Sequence, residues 1–464
     1  MKNKQNILLL FCLLIALALP AQHYKYYFGN IHAHSSYSDG NKDSVTSLMT
    51  TPLHNFNYAK LSQQIDFYGI SEHNHYSAGL RNRAHYHMGL ADAEAATVNG
   101  SFVAMYGMEW GVISGGGHVL VYGYDSLLGW DANYFDEFIA KNDYGTLWYK
   151  INKQPASFAY LAHPQTGDYD NLFGVAYNAS IDSAIIGMPS RSGSAFSTND
   201  SYSDPSSGNY ISRYHDALKA GYHVGIGLDH DTHYSVFGRQ TAGRLVVMAD
   251  TLTRDAVMSA LKDMRFYSSD DWNTEVNFEI NGYHMGASAT DYNGAPQINV
   301  TVNDPDNETN SKIELFTGTP GSGVAPTVVT SNNNSNTLLF TDPIPDFSKR
   351  YYYAKITQTD GDIIWTSPIW FSRKDIVGVQ ENLQLKQQLK LYPNPSKEDI
   401  SISFGEIGGV KNLSLFNMHG QLLWQKQTSE TSLILTVAQF PSGIYHLHVL
   451  SNKASLVEKI QVIK

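Results

Sequence analysis

The chain has 464 residues, 42% of them hydrophobic, enough for two or three domains with genuine cores. Its formal net charge of −11 argues against a general nucleic-acid surface, and no nucleic acid is expected as a partner. The one cysteine, Cys12, excludes a disulfide framework.

At the N-terminus, Lys2 and Lys4 precede an apolar run from Ile7 to Leu19, and Pro20-Ala21-Gln22 offers a small residue for cleavage after Ala21. About 13 apolar residues fall short of the roughly 20 that span a bilayer, so residues 1–21 read as a secretory signal peptide. No later apolar run is long enough to cross a membrane, so no transmembrane segment is expected in the mature protein.

The next apolar runs all meet histidine or carboxylate. Tyr26, Tyr27, Phe28 and Ile31 lead to His32-Ala33-His34, with Asp39-Gly40 in the turn beyond. Residues i and i+2 of a strand face the same side, so both imidazoles can reach one ion. Ile65–Ser71 runs into Glu72-His73-Asn74-His75, and Phe102–Tyr106 leads to Glu109. His118 opens an apolar run after Gly115, Gly116 and Gly117, and Phe158–Ala162 delivers His163-Pro164. Val224–Leu228 delivers Asp229-His230-Asp231-Thr232-His233. Most of these groups sit at the carboxyl end of a strand, where (β/α) barrels and open α/β sheets place their active sites. Fourteen of the eighteen histidines precede residue 234, so the enrichment belongs to one region.

In that order the motifs resemble the PHP (polymerase and histidinol phosphatase) superfamily of metallohydrolases, on its secreted, carbamate-hydrolase-like branch. The resemblance covers about residues 24–272. It rests on His32-x-His34 with Asp39-Gly40, Ser71-Glu72-His73, Gly107-Met108-Glu109 with His118, Ala162-His163-Pro164, and Asp231-Thr232-His233. It implies a distorted (β/α)7 barrel over residues 22–272 and nine metal ligands: His32, His34, Asp39, His73, Glu109, His118, His163, Asp231 and His233. Two or three divalent ions (zinc, manganese or iron) are implied, with Glu109 bridging two of them. His32, His34, Glu109 and Asp231 would hold the first, His118 and His163 the second, and Asp39, His73 and His233 the third. Glu72 departs from the family's aspartate, with an effect expected on orientation more than on binding. Asp229 and His230 are either supports behind the ligands or ordinary hydrogen-bonding loop residues.

From Val276 to Ser372, short β-rich runs alternate with turn clusters such as Asn303–Asn307 and Asp360–Asp362, which predicts an Ig-like β-sandwich over 273–372. Trp365 and Trp370 read as packing residues before carbohydrate platforms. Residues 373–386 are polar and read as a linker. The stretch 387–464, with Leu391-Tyr392-Pro393-Asn394-Pro395 and Pro441-Ser442-Gly443-Ile444-Tyr445, resembles the C-terminal sorting domain of the type IX secretion system. That resemblance implies a small β-sandwich, the secretion machinery as a partner, and a destination at the cell surface or in the medium, reached through the periplasm and outer membrane.

The expected function is a secreted metal-dependent hydrolase of the phosphoesterase class, using metal-activated hydroxide, with Glu109, Asp231 and His233 at the centre of the chemistry. Its substrate would be a small-molecule or glycan-linked phosphate ester. Carbamate or carboxylic ester hydrolysis on the same centre is the alternative, and a non-catalytic surface-binding protein is the third reading. His75 and His230 are candidates for a general acid; Arg81, Arg83, Arg191 and Arg239 are either ordinary surface arginines or groups that grip phosphate oxygens.

Overall fold

The computed structural model describes residues 24–80, 82–113, 116–203, 209–292, 294–345, 348–373, 388–405, 407–451 and 455–464. The expected signal peptide, Arg81 and nearly all of the expected linker lie outside them. The described residues fall into two compact units that divide between Lys374 and Asp375.

Nine strands of the first unit carry the site: β1 (Lys25–Asn30), β2 (Phe67–His73), β3 (Val103–Val112), β4 (Gly117–Tyr122), β5 (Phe158–Ala162), β6 (Ile185–Ser192), β7 (Gly225–Asp229), β8 (Arg244–Ala249) and β9 (Phe266–Ser269). Strands β2, β4, β5, β7 and β8 are buried along their whole length, as their unbroken apolar character requires of strands covered on both faces. They lie side by side in the order β9-β8-β1-β2-β3-β4-β5-β6-β7. The pairs β1–β2, β2–β3, β5–β6 and β6–β7 are parallel. The sheet is mixed, however: β8 runs against both β1 and β9, and β4 against both β3 and β5. Only four residues separate β3 from β4, too few for a parallel crossover, and Gly111 (φ +119°) and Gly117 (φ +93°) take the backbone values that the reversal needs. Just past β1, Ala33 bridges Thr232, just past β7, and the His34 N–H donates to the Thr232 carbonyl at 2.8 Å. The chain segments leaving β1 and β7 therefore meet at the ligand motifs.

Helices cover the strands and start where the sequence supplies a cap. Thr51, Asn82, Asp143 and Thr253 each accept a backbone N–H at the start of Pro52–Ala59, Arg83–Ala96, Tyr144–Lys153 and Arg254–Lys262. Apolar side chains between helices and sheet, among them Phe56, Tyr86, Trp148, Ile151, Tyr214 and Leu218, make the largest core.

The sheet does not stop near residue 272. Strand β9 pairs with Ile363–Thr366, so that Tyr267 lies opposite Thr366, and the path continues through Lys349–Gln358, Ile369–Arg373 and Ser288–Tyr292. A second sheet, built on Glu275–Ile280, Gln297–Asn303 and Thr337–Thr341, buries alternate residues. Its Val276, Phe278, Ile280 and Val300 share a core with Ile313, Leu315 and Ile356. The second unit has a three-stranded and a four-stranded sheet around Ile400, Ile402, Leu413, Leu415, Leu447 and Val449.

Candidate metal centre

Glu109, fully buried on β3, is the hub. One carboxylate oxygen lies 3.2 Å from His32 Nε2, 2.9 Å from His118 Nδ1 and 3.0 Å from His163 Nε2. The other lies 3.3 Å from His34 Nε2 and 2.8 Å from His73 Nδ1. Asp231 Oδ1 faces His32 Nε2 at 3.2 Å and His34 Nε2 at 3.3 Å. Asp39 Oδ1 closes the far side, 3.7 Å from His73 Nε2 and 3.4 Å from His233 Nε2. All nine residues predicted as ligands thus converge on one cluster.

Local structure explains how each is held. Gly40 folds the turn after His34 tightly, and a Cβ there would lie 2.0 Å from the His34 carbonyl oxygen. The β3–β4 hairpin sets His118 opposite Gly111, two residues beyond Glu109. His163 (φ +32°) and Asp231 (φ +50°) occupy left-handed backbone that a non-glycine residue adopts at a cost. Asp229 accepts from His32 Nδ1 at 3.2 Å, which turns Nε2 toward Glu109 and Asp231. Glu72 points away from the cluster, where it accepts from the Ser35 backbone N–H and from the Ser35 and Ser38 hydroxyls. Glu72 therefore ties down the turn that carries His34.

The donor set fits divalent cations. Both nitrogens of His34 and of His118, together with His73 Nδ1, Glu109 Oε2 and Asp39 Oδ1, are buried without a hydrogen-bond partner, although carboxylate and imidazole atoms approach to about 3 Å. Buried polar atoms left this way are costly unless a further group satisfies them. Several sets of donor atoms lie within 4.8 Å of one another: His32, His34 and Glu109; Glu109, His118 and His163; His34, Asp39, His73 and His233. Electrostatics agrees. Burial lowers the His118 pKa to about 4 and, with His233 and His73 beside it, lowers that of His34, leaving both rings as neutral ligands. Burial would raise the Glu109 carboxyl, but His118, His73 and His32 hold it well below its usual range. His32 is raised despite its burial by Asp231, Glu109 and Asp229.

The other candidates divide. His75 joins a donor set with His73 and His118, and its ring stacks on Trp130 at 6.0 Å. His230 is turned away: it donates from Nε2 to the Gly243 carbonyl, and burial lowers its pKa to about 3, which leaves it without an acid's proton. No arginine among the described candidates reaches the cluster. Arg191 pairs with Asp270, Arg239 packs on Tyr58 and donates to Ser62, and Arg83 is exposed at the start of its helix. A cation beside the cluster was not legible in the sequence: Lys42 Nζ lies 3.3 Å from Asp39 Oδ2 and 5.4 Å from the Phe196 ring. Phe196 is 64% exposed and leans on His233 at 4.9 Å, so part of the Ser192–Asn209 loop borders the site. A lone lysine and a lone phenylalanine in loops carry no pattern that marks them beforehand. Trp365 packs on Phe316 and Tyr353, and Trp370 is 5% exposed, so neither is an open platform.

Residues 390–464 match the family described as the secretion system C-terminal sorting domain. The chain is a type IX secretion cargo, secreted or attached at the cell surface. Among the described residues no helix is long and apolar enough to cross a membrane. No curated protein matches the chain. Among solved structures, it is similar to a two-domain protein from Bacteroides vulgatus that contains a predicted PHP-like metal-dependent phosphoesterase. The identity is 12%, over 75% of this chain and 95% of that one, with a TM-score of 0.37. It is also similar to the fibronectin(III)-like modules of Clostridium thermocellum CbhA, at 14% identity over 41% of this chain and 93% of that one, with a TM-score of 0.17.

Proposed function

We propose that the chain is an exported metal-dependent hydrolase of phosphate esters, working at two or three divalent ions. The observation that carries this reading is Glu109, a buried carboxylate within 3.3 Å of five imidazoles. His32, His34, Glu109 and Asp231 would hold one ion. Glu109, with His118 and His163, would also hold a second, and Asp39, His73 and His233 would hold a third. Such ions, when bound, acidify coordinated water and polarise the ester under attack.

The protein's own residues orient and balance that charge. Asp229 fixes the His32 ring, and His233 donates from Nδ1 to the Asp231 carbonyl at 2.9 Å, which leaves Nε2 facing Asp39. The Asp231 side chain is 16% exposed whereas Glu109 is fully buried, so Asp231 borders the side from which substrate arrives. Lys42 stands at the same rim, where its charge favours an anionic ester.

Hydrolysis of carbamates or carboxylic esters is the second reading. It is favoured by the lack of any described arginine candidate at the cluster to clamp a phosphate dianion. Purified protein supplied with manganese or zinc and offered aryl phosphate mono- and diesters, aryl carbamates and aryl acetates separates the two. Turnover of phosphate esters that disappears in His32→Ala is expected; turnover of the carbon esters alone would replace the first reading with the second.

A further inference from the structure

A second cleft opens away from the metal centre, where the end of the helix Ile211–Ala220 and the residues after it, Gly221 and His223, approach the strands Lys349–Gln358 and Ile369–Arg373. Its volume is about 550 Å³, within the range of small-ligand sites and room for one or two sugar rings. Three features of its lining point to one ligand chemistry.

The first is charge. Lys349 and Arg350 line the cleft, and neither has an acidic partner among the described residues; Arg350 donates only to the Thr319 hydroxyl, at 2.9 Å. The second is an unanswered donor. Trp370 lines the same cleft, is 5% exposed, and its indole N–H is buried without a hydrogen-bond partner. An indole nitrogen only donates, so an acceptor from outside the chain is what it lacks. The third is order. Asp182 accepts from the His223 backbone N–H at 2.6 Å, from His223 Nδ1 at 2.8 Å and from the Tyr177 hydroxyl at 2.8 Å. These bonds hold the His223 ring 4.7 Å from Trp370, so the aromatic wall is set before any ligand arrives.

We infer that this cleft binds an anionic sugar unit, a uronate or a sulfated hexose. Its acid group would lie against Lys349 and Arg350, its ring along the half-exposed Tyr177, and one of its acceptors against the Trp370 N–H. The open Tyr177 ring suits the C–H face of a pyranose, and the exposed Ser288 and Thr290, on the strand beside that of Trp370, suit its hydroxyls. A bare inorganic anion would use the two cations and leave the aromatic wall unused. Export places the cleft among extracellular glycans, where acidic sugars occur. The site requires nothing of the metal centre, so it stands or falls independently of the hydrolase reading.

Isothermal titration calorimetry on the full chain tests it, with glucuronate, glucose 6-sulfate, glucose and sodium sulfate as titrants. Saturable binding of glucuronate or the sulfated hexose is expected, with glucose and inorganic sulfate each at least about tenfold weaker. Which of the two acidic sugars binds more tightly identifies the source. Lys349→Gln combined with Arg350→Gln should weaken the preferred sugar about tenfold or more, and Trp370→Phe should weaken it several-fold while keeping the ring. Both variants should keep the wild-type hydrolytic rate, and the double variant also the wild-type thermal midpoint. If Trp370→Phe fails to fold, the exposed double substitution carries the test alone. Equal affinity for glucose, equal affinity for sulfate, no binding of either acidic sugar, or full affinity in the double variant would each overturn the assignment.

Discussion

The Tyr169 hydroxyl donates to the Ala162 carbonyl at 2.9 Å, one residue ahead of His163. The relationship recurs: Tyr122 donates to Ile31 at 2.6 Å, ahead of His32, and Tyr144 donates to Gly117 at 2.6 Å, ahead of His118. Three buried tyrosines thus fix the backbone from which three histidines reach Glu109. Removing one hydroxyl leaves a buried carbonyl unpaired, at a cost of about 1–3 kcal/mol. Tyr169→Phe, Tyr144→Phe and Tyr122→Phe should each destabilise the protein by that amount in urea unfolding. Each should also bind metal more weakly. Wild-type metal affinity in all three would separate the tyrosines from the centre.

Asp229 holds His32 from behind, so Asp229→Asn should keep the fold and lower metal affinity about 10–100-fold. Competition against a chromogenic chelator reads this directly. An unchanged affinity would reduce Asp229 to a packing residue.

Stripping the protein with a chelator should lower its thermal midpoint, because buried imidazoles and carboxylates with unanswered atoms then face one another without a cation. Adding back manganese or zinc should restore it, saturably. A midpoint indifferent to both treatments would speak against ligation by these residues.

Much of the centre was legible because strands buried on both faces read as unbroken apolar runs, and polar ligands at their ends stand out against them. The partner of each strand was not legible. Apolar runs say that β3 and β4 exist, while the antiparallel turn between them depends on a short glycine-rich connection. The passage of the sheet from β9 to Ile363–Thr366 depends on pairing across almost a hundred residues, which period-two alternation does not encode. The arginines stayed open to two readings for a related reason. A guanidinium suits phosphate and also suits Asp270 or the Tyr58 ring, and only geometry chooses between them. Asp229 and Asp231 share one strand parity, which alone left both open, and the Asp-x-His spacing favoured Asp231; in the structure Asp231, on left-handed backbone, faces Nε2 of His32 and His34 while Asp229 meets His32 Nδ1.

A pH effect should arise away from the site. Burial, then Asp360, Asp270 and Asp271, push the Asp362 carboxyl up to about 7. The folded chain keeps this proton at pH values where the unfolded chain has released it. Stability therefore falls as pH rises from the ordinary carboxylate range to about 7, and levels off above. Asp362→Asn should remove that component, with a higher thermal midpoint than wild type near pH 8 and little difference near pH 4. Parallel profiles for the two proteins would refute it.

The most direct measurement is the metal content of purified wild-type protein and of Glu109→Gln, by elemental analysis after loading with manganese or zinc and gel filtration. At least two ions per chain are expected in the wild type, with most of that metal lost from a variant that still folds. A wild type that retains no metal, or a Glu109→Gln variant that retains all of it, would contradict the account.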